Sequence, residues 1–79
     1  MAFTLSHHCR KMAATKRFSE QDVLAAANEP SITYESYNHP GQHRHVRGGL
    51  VAVVDRDQGL VITTYRNVER TALRANQVA

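Results

Sequence analysis

The chain has one cysteine, Cys9, no tryptophan and only two prolines in 79 residues. A lone cysteine excludes an intramolecular disulfide, and with it the disulfide-stapled class of small secreted domain. Two Phe and three Tyr are the only aromatics, so the core has to be built from Val, Leu, Ile and Ala. No apolar run approaches the roughly 20 residues that a membrane helix needs. The opening segment, MAFTLSHHCRK, lacks the apolar stretch of a secretory leader. These absences lead to the expectation of a cytoplasmic protein with no membrane partner. There is no paired-cysteine or HExxH zinc pattern, no phosphate-binding glycine loop and no Ser-His-Asp signature. No metal and no cofactor is therefore expected.

What is present is a mildly basic, histidine-rich chain. Ten Lys and Arg stand against seven Asp and Glu, for a net charge of +3, with five His besides. That balance is compatible with a polyanionic partner. A chain of this length buries only roughly 60% of its unfolded surface, which allows one domain, residues 1–79, and one modest core.

The N-terminal half reads as two helices. Leu5, Cys9, Met12 and Ala13 recur at the spacing of one helical face and predict a helix over 4–16. Ser19 is a candidate N-cap, with Glu20 and Asp22 in the first turn, and predicts a second helix over 19–28. Phe18 and Val23 flank that cap in the arrangement of a hydrophobic staple. Pro30 ends the helix, because the residue before proline avoids helical angles. Beyond it the composition favours strands over 31–37, 43–47, 50–55 and 60–65. Gly48-Gly49 is a two-residue hairpin loop, and it places His45 opposite Ala52 and Arg47 opposite Leu50. The tail, 66–79, reads equally as a last edge strand or a short helix. The expected class is α+β: two N-terminal helices packed on a curved antiparallel sheet of three or four strands.

Candidate chemistry concentrates in two places. On the first helix, His7 points away from the apolar stripe, whereas His8 lies at its edge and can look toward the sheet margin as a general acid or base. On the basic strand, alternation puts His43, His45 and Arg47 on one face and Arg44 and Val46 on the other. Arginine's planar fork of donors suits a phosphate clamp. Equally, these side chains can decorate a solvated face with their stems lying on the sheet. His43 and His45 could together offer two metal ligands, with His39, Asp55 and Asp57 nearby in sequence, but two histidines do not complete a site. Cys9 sits on the core stripe and reads as a small apolar side chain. Tyr65 ends the last clear strand, where its hydroxyl could orient a phosphate.

Taken in order, SHHCRKMA, FSEQDVLAAANEP and PGQHRHVRGGLVAVVDRDQGLVITTY resemble small RelE-like proteins of the barnase–EndoU–colicin–RelE superfamily, in particular the short forms of actinobacterial phages and mobile elements. The resemblance runs over residues 5–74. It implies a metal-independent ribonuclease-like toxin acting on RNA, free or ribosome-bound, by attack of the ribose 2′-OH on the adjacent phosphate. An antitoxin protein is the implied partner, in a bacterial cytoplasm. The site it implies comprises His8 from the helix with Arg44 and Arg47 from the basic strand, and His45 and Tyr65 as companions. The alternative is a non-enzymatic accessory protein that uses the scaffold to bind another protein through a sheet edge or the tail; a dimer is compatible with either. The first reading requires His8, His45 and at least one arginine to meet in one cleft. The second predicts scattered histidines and an unpaired edge.

Overall fold

A computed structural model describes residues 3–36 and 39–67 of the chain. The elements run β1 (Thr4–Leu5), α1 (His7–Thr15), α2 (Glu20–Asn28), β2 (Ile32–Glu35), β3 (Gln42–Arg47), β4 (Leu50–Asp55) and β5 (Leu60–Arg66). The sheet is five-stranded in the order β1-β5-β4-β3-β2. The fold is α+β, as the element pattern predicts. The sheet is mixed, however, because β1 pairs with β5 in parallel, and it has one strand more than the expected maximum. Expectations for Tyr37, Asn38 and the tail from Val68 lie outside the described residues.

The extra strand comes from the segment expected to begin the first helix. Thr4 and Leu5 pair with Leu60 and Val61. The helix starts only at His7, because Ser6 is its N-cap and accepts a hydrogen bond from the Cys9 N–H at 3.0 Å. The same hydroxyl donates to the carbonyl of Ile62 at 2.9 Å. Ile62 has no cross-strand partner, since the register between β4 and β5 slips beside Val53 and Val54. One serine therefore ends β1, starts α1 and satisfies a carbonyl at an irregularity in the sheet. Leu5 is still buried, but as a strand residue.

At its far end α1 closes in a Schellman motif. The Phe18 N–H donates to the Ala13 carbonyl and the Arg17 N–H to the Ala14 carbonyl, with Arg17 at φ 61°. This is the reciprocal pattern that satisfies the last carbonyls of a helix, usually with glycine at the left-handed position. The turn delivers the chain to Ser19, whose side chain accepts from the Asp22 N–H at 3.0 Å and caps α2 as expected.

The β3–β4 hairpin has the anticipated register, with His45 opposite Ala52 and Arg47 opposite Leu50. Gly48, at φ 59°, takes the first central position, where a type II′ turn requires a positive φ. Both helices lie on one face of the sheet, α1 over β5 and α2 over β4 and β3. The core between them comprises Leu5, Cys9, Ala13, Val23, Ala26, Ala27, Leu50, Ala52, Val54 and Val61. Alanines on α2 and at position 52 let helix and sheet approach closely, which suits a core with few aromatics.

Candidate functional site

His45 and Arg47 of β3 are engaged at the end of α2. A helix leaves its last carbonyls without intrahelical partners. Pro30 has no N–H to offer, and the Ser31 N–H is bound to the Val46 carbonyl at 2.8 Å. The vacant Ala27 carbonyl instead meets His45 Nδ1 at 2.7 Å. Two residues along β3, Arg47 Nη1 donates to the Glu29 carbonyl at 2.7 Å. Alternation puts both side chains on the helix-covered face, and both reach the negative end of the α2 dipole. A basic strand thus serves as the C-terminal cap of a helix, a role invisible from strand composition alone.

His45 is 4% exposed. The Phe3 ring meets it edge-on at 5.6 Å between centroids, and Arg56 Nη2 lies 3.3 Å from Nε2. A neutral ring with its proton on Nδ1 satisfies both contacts, donating to Ala27 and accepting from Arg56. Burial holds its pKa below the usual histidine value. The Ala27 carbonyl opposes that shift, and Arg56 and His43 add to it. A ring so placed has no nitrogen free for proton transfer to a substrate.

Arg44 and Tyr65 are on the other face. Arg44 stands opposite Tyr34 and Val53, and Tyr65 opposite Val51. The Arg44 guanidinium lies 5.9 Å from the centroids of both the Tyr34 and Tyr65 rings, a double cation–π contact. Its Nε is buried without a hydrogen-bond partner. Burial raises the Tyr65 pKa, with Arg44 opposing and Tyr34 reinforcing the shift.

His8 is exposed, as is His7, on a helix that packs over β5, two strands away from β3. The five residues proposed from sequence therefore do not converge. His45 and Arg47 are together at the end of α2, Arg44 and Tyr65 are together through the sheet from them, and His8 is apart from both pairs. His43 and His45 share a face, but among the described residues no group of three or more His, Cys, Asp or Glu could hold a metal ion. Cys9 is fully buried, and burial with a contribution from Glu20 pushes its thiol up to about 11. It is a core side chain and no nucleophile at neutral pH.

Two further features bear on function, of which the sequence reading anticipated only an unpaired sheet edge. One is a cleft of about 390 Å³ at the hairpin end of the helix-covered face, lined by Phe18, Asp22, Arg47, Gly48, Gly49 and Arg66 among others. The other is the edge of the sheet. β2 is terminal in the strand order, and all four of its residues are exposed. Ile32 is 58% and Tyr34 38% exposed, the two large hydrophobic side chains most open to solvent among the described residues. No protein-family model matches the chain, and neither a curated protein nor a solved structure matches it.

Proposed function

We propose that this protein is a non-catalytic binding module that receives an extended segment of a partner protein as an added strand on β2. The observation that carries the reading is the hydrogen-bonding phase of that edge. The Ser36 N–H donates to the Gln42 carbonyl at 2.8 Å. In an antiparallel ladder, directly bonded pairs alternate with non-bonded ones, so Tyr34 also directs its backbone groups inward, to Arg44. Thr33 and Glu35 then turn their N–H and C=O groups outward, where no described strand meets them. Protein edges are commonly guarded by lysine, proline or a bulge. Ile-Thr-Tyr-Glu carries neither lysine nor proline, and its one charge is Glu35. Strand addition would supply main-chain bonds to Thr33 and Glu35, with Ile32 and Tyr34 reading alternate side chains of the partner.

The competing reading, an endoribonuclease built on His8, His45, Arg44, Arg47 and Tyr65, has against it the dispersal of those side chains and the engagement of His45. A photoreactive residue at position 33, expressed in bacteria, should cross-link one defined protein partner. With that partner purified, exchange of the Thr33 and Glu35 amides should slow on binding. Thr33→Pro, which removes one outward N–H, should abolish capture while changing stability by less than about 1 kcal/mol. Growth arrest with RNA cleavage that His8→Ala abolishes at equal protein level would overturn the proposal and restore the nuclease.

A further inference from the structure

We infer that the cleft between the β3–β4 hairpin and α2 is a binding site for the phosphate group of a small hydroxylated phosphate monoester, held between Arg47 and Arg66. Arg47, Leu50 and Arg66 form one cross-strand row. The two arginines flank Leu50, one on each neighbouring strand, with their Cα atoms two strand spacings, about 10 Å, apart. Both side chains line the same cleft, and an anion entering it would draw the two guanidiniums together from their anchors at the two ends of α2.

Each arm is oriented by a contact that leaves donors free. Arg47 uses Nη1 on the Glu29 carbonyl, which leaves its other nitrogens available. The Arg66 guanidinium lies over the Phe18 ring at 5.5 Å, a stacking contact that consumes no N–H group. Neither forms an ion pair among the described residues, although Asp22 lines the same cleft. Two like charges beside one concavity, each positioned and neither neutralised, are the arrangement that a bidentate oxyanion resolves.

Gly48 and Gly49 line the cleft. A Cβ at Gly49 would meet nothing within 4 Å, and its φ lies outside the positive range. A side chain at position 49 would stand in open space beside the cleft. The volume of about 390 Å³ exceeds what a bare oxyanion needs and falls within the range of small-molecule sites. Asp22 sets the rest of the ligand. A carboxylate near the phosphate disfavours a bare anion, but it accepts a hydrogen bond from a hydroxyl carried by the same molecule. Inorganic phosphate can also offer Asp22 a hydroxyl, but it leaves most of the cleft empty, so the volume favours a phosphate monoester with a hydroxylated body.

The test is a titration followed by amide chemical shifts, at low salt, with inorganic phosphate, ribose 5-phosphate and a nucleoside 5′-monophosphate as separate arms. Ribose 5-phosphate should shift the Phe18, Gly48 and Gly49 amides and bind more tightly than inorganic phosphate. Equal binding of the nucleotide would show that a base adds nothing, and tighter binding that it fills the remaining volume. Arg66→Gln should weaken binding about tenfold or more, since loss of one charged hydrogen bond of roughly 1.4 kcal/mol is a factor of ten. Asp22→Asn should narrow the preference for ribose 5-phosphate over inorganic phosphate. Arg47→Gln also removes a helix cap, so Arg66→Gln and Asp22→Asn carry the test, with unchanged melting curves as the folding control. No amide shift up to about 10 mM ligand, a Kd corresponding to only about 2.7 kcal/mol, overturns the proposal. So does binding that Arg66→Gln leaves intact.

Discussion

Replacing His45 with leucine tests whether the basic strand serves structure. Leucine keeps much of the ring's volume against Phe3 but has no donor for the Ala27 carbonyl. That carbonyl accepts from His45 at 2.7 Å in a buried setting, and no neighbouring amide can replace the bond. Stranding one buried acceptor costs about 1–3 kcal/mol. For a domain of this size each kcal/mol corresponds to about 4–8 °C in melting temperature. The variant should therefore melt well below wild type at pH 7.5. The pH dependence supplies a second, independent signature. The folded pKa of His45 is lowered by burial, so on acidification the unfolded chain takes up the proton first. Its contribution to stability is complete above the unfolded value of about 6.5. It is lost as pH falls below that value toward the lower folded pKa, with a limiting slope of about 1.4 kcal/mol per pH unit. Urea unfolding of wild type and His45→Leu at pH 7.5, 6.5 and 5.5 reads both effects, and the difference between the two proteins cancels the other histidines. Equal midpoints at pH 7.5 together with parallel pH profiles would refute the capping role and release His45 for chemistry.

Other consequences follow from the backbone. Proline at position 33 should change the stability of the isolated protein by less than about 1 kcal/mol, because an edge residue with an outward N–H tolerates it. Proline at position 34 should cost about 3 kcal/mol or more by removing a ladder bond; chemical denaturation of the pair checks the deduced phase of β2. Arg17→Gly should stabilise the protein by about 0.5–1 kcal/mol, because Arg17 sits at φ 61°, where a side chain is penalised; a thermal melt that falls would contradict the Schellman geometry. The Cys9 thiol, buried and pushed up to about 11, should resist alkylation at pH 8 until denaturant is added, as mass spectrometry of the labelled chain would show. Val54→Ala, at a fully buried position under the helices, should cost roughly 2–3 kcal/mol in urea unfolding.

The amino-acid sequence by itself determined the features that depend on near neighbours. Ser19 caps α2, because an N-cap and its target amide are three residues apart. Gly48-Gly49 sets the β3–β4 register, because a two-residue loop leaves only one pairing, and strand alternation then divides His45 and Arg47 from Arg44. The class of fold follows from the order of these elements. Only the tertiary structure decided what depends on distant partners. Thr4 and Leu5 continue a helical periodicity, yet they become a strand because Leu60 and Val61 offer an edge more than 50 residues away. Alternation shows that β3 has two different faces but cannot say which one the helices cover. That choice turns His45 and Arg47 into caps for α2 and sets Arg44 with Tyr34 and Tyr65 on the far side. A residue's chemistry is written in its side chain. Whether that chemistry is spent on the fold or left for a ligand depends on what the fold brings within hydrogen-bonding distance.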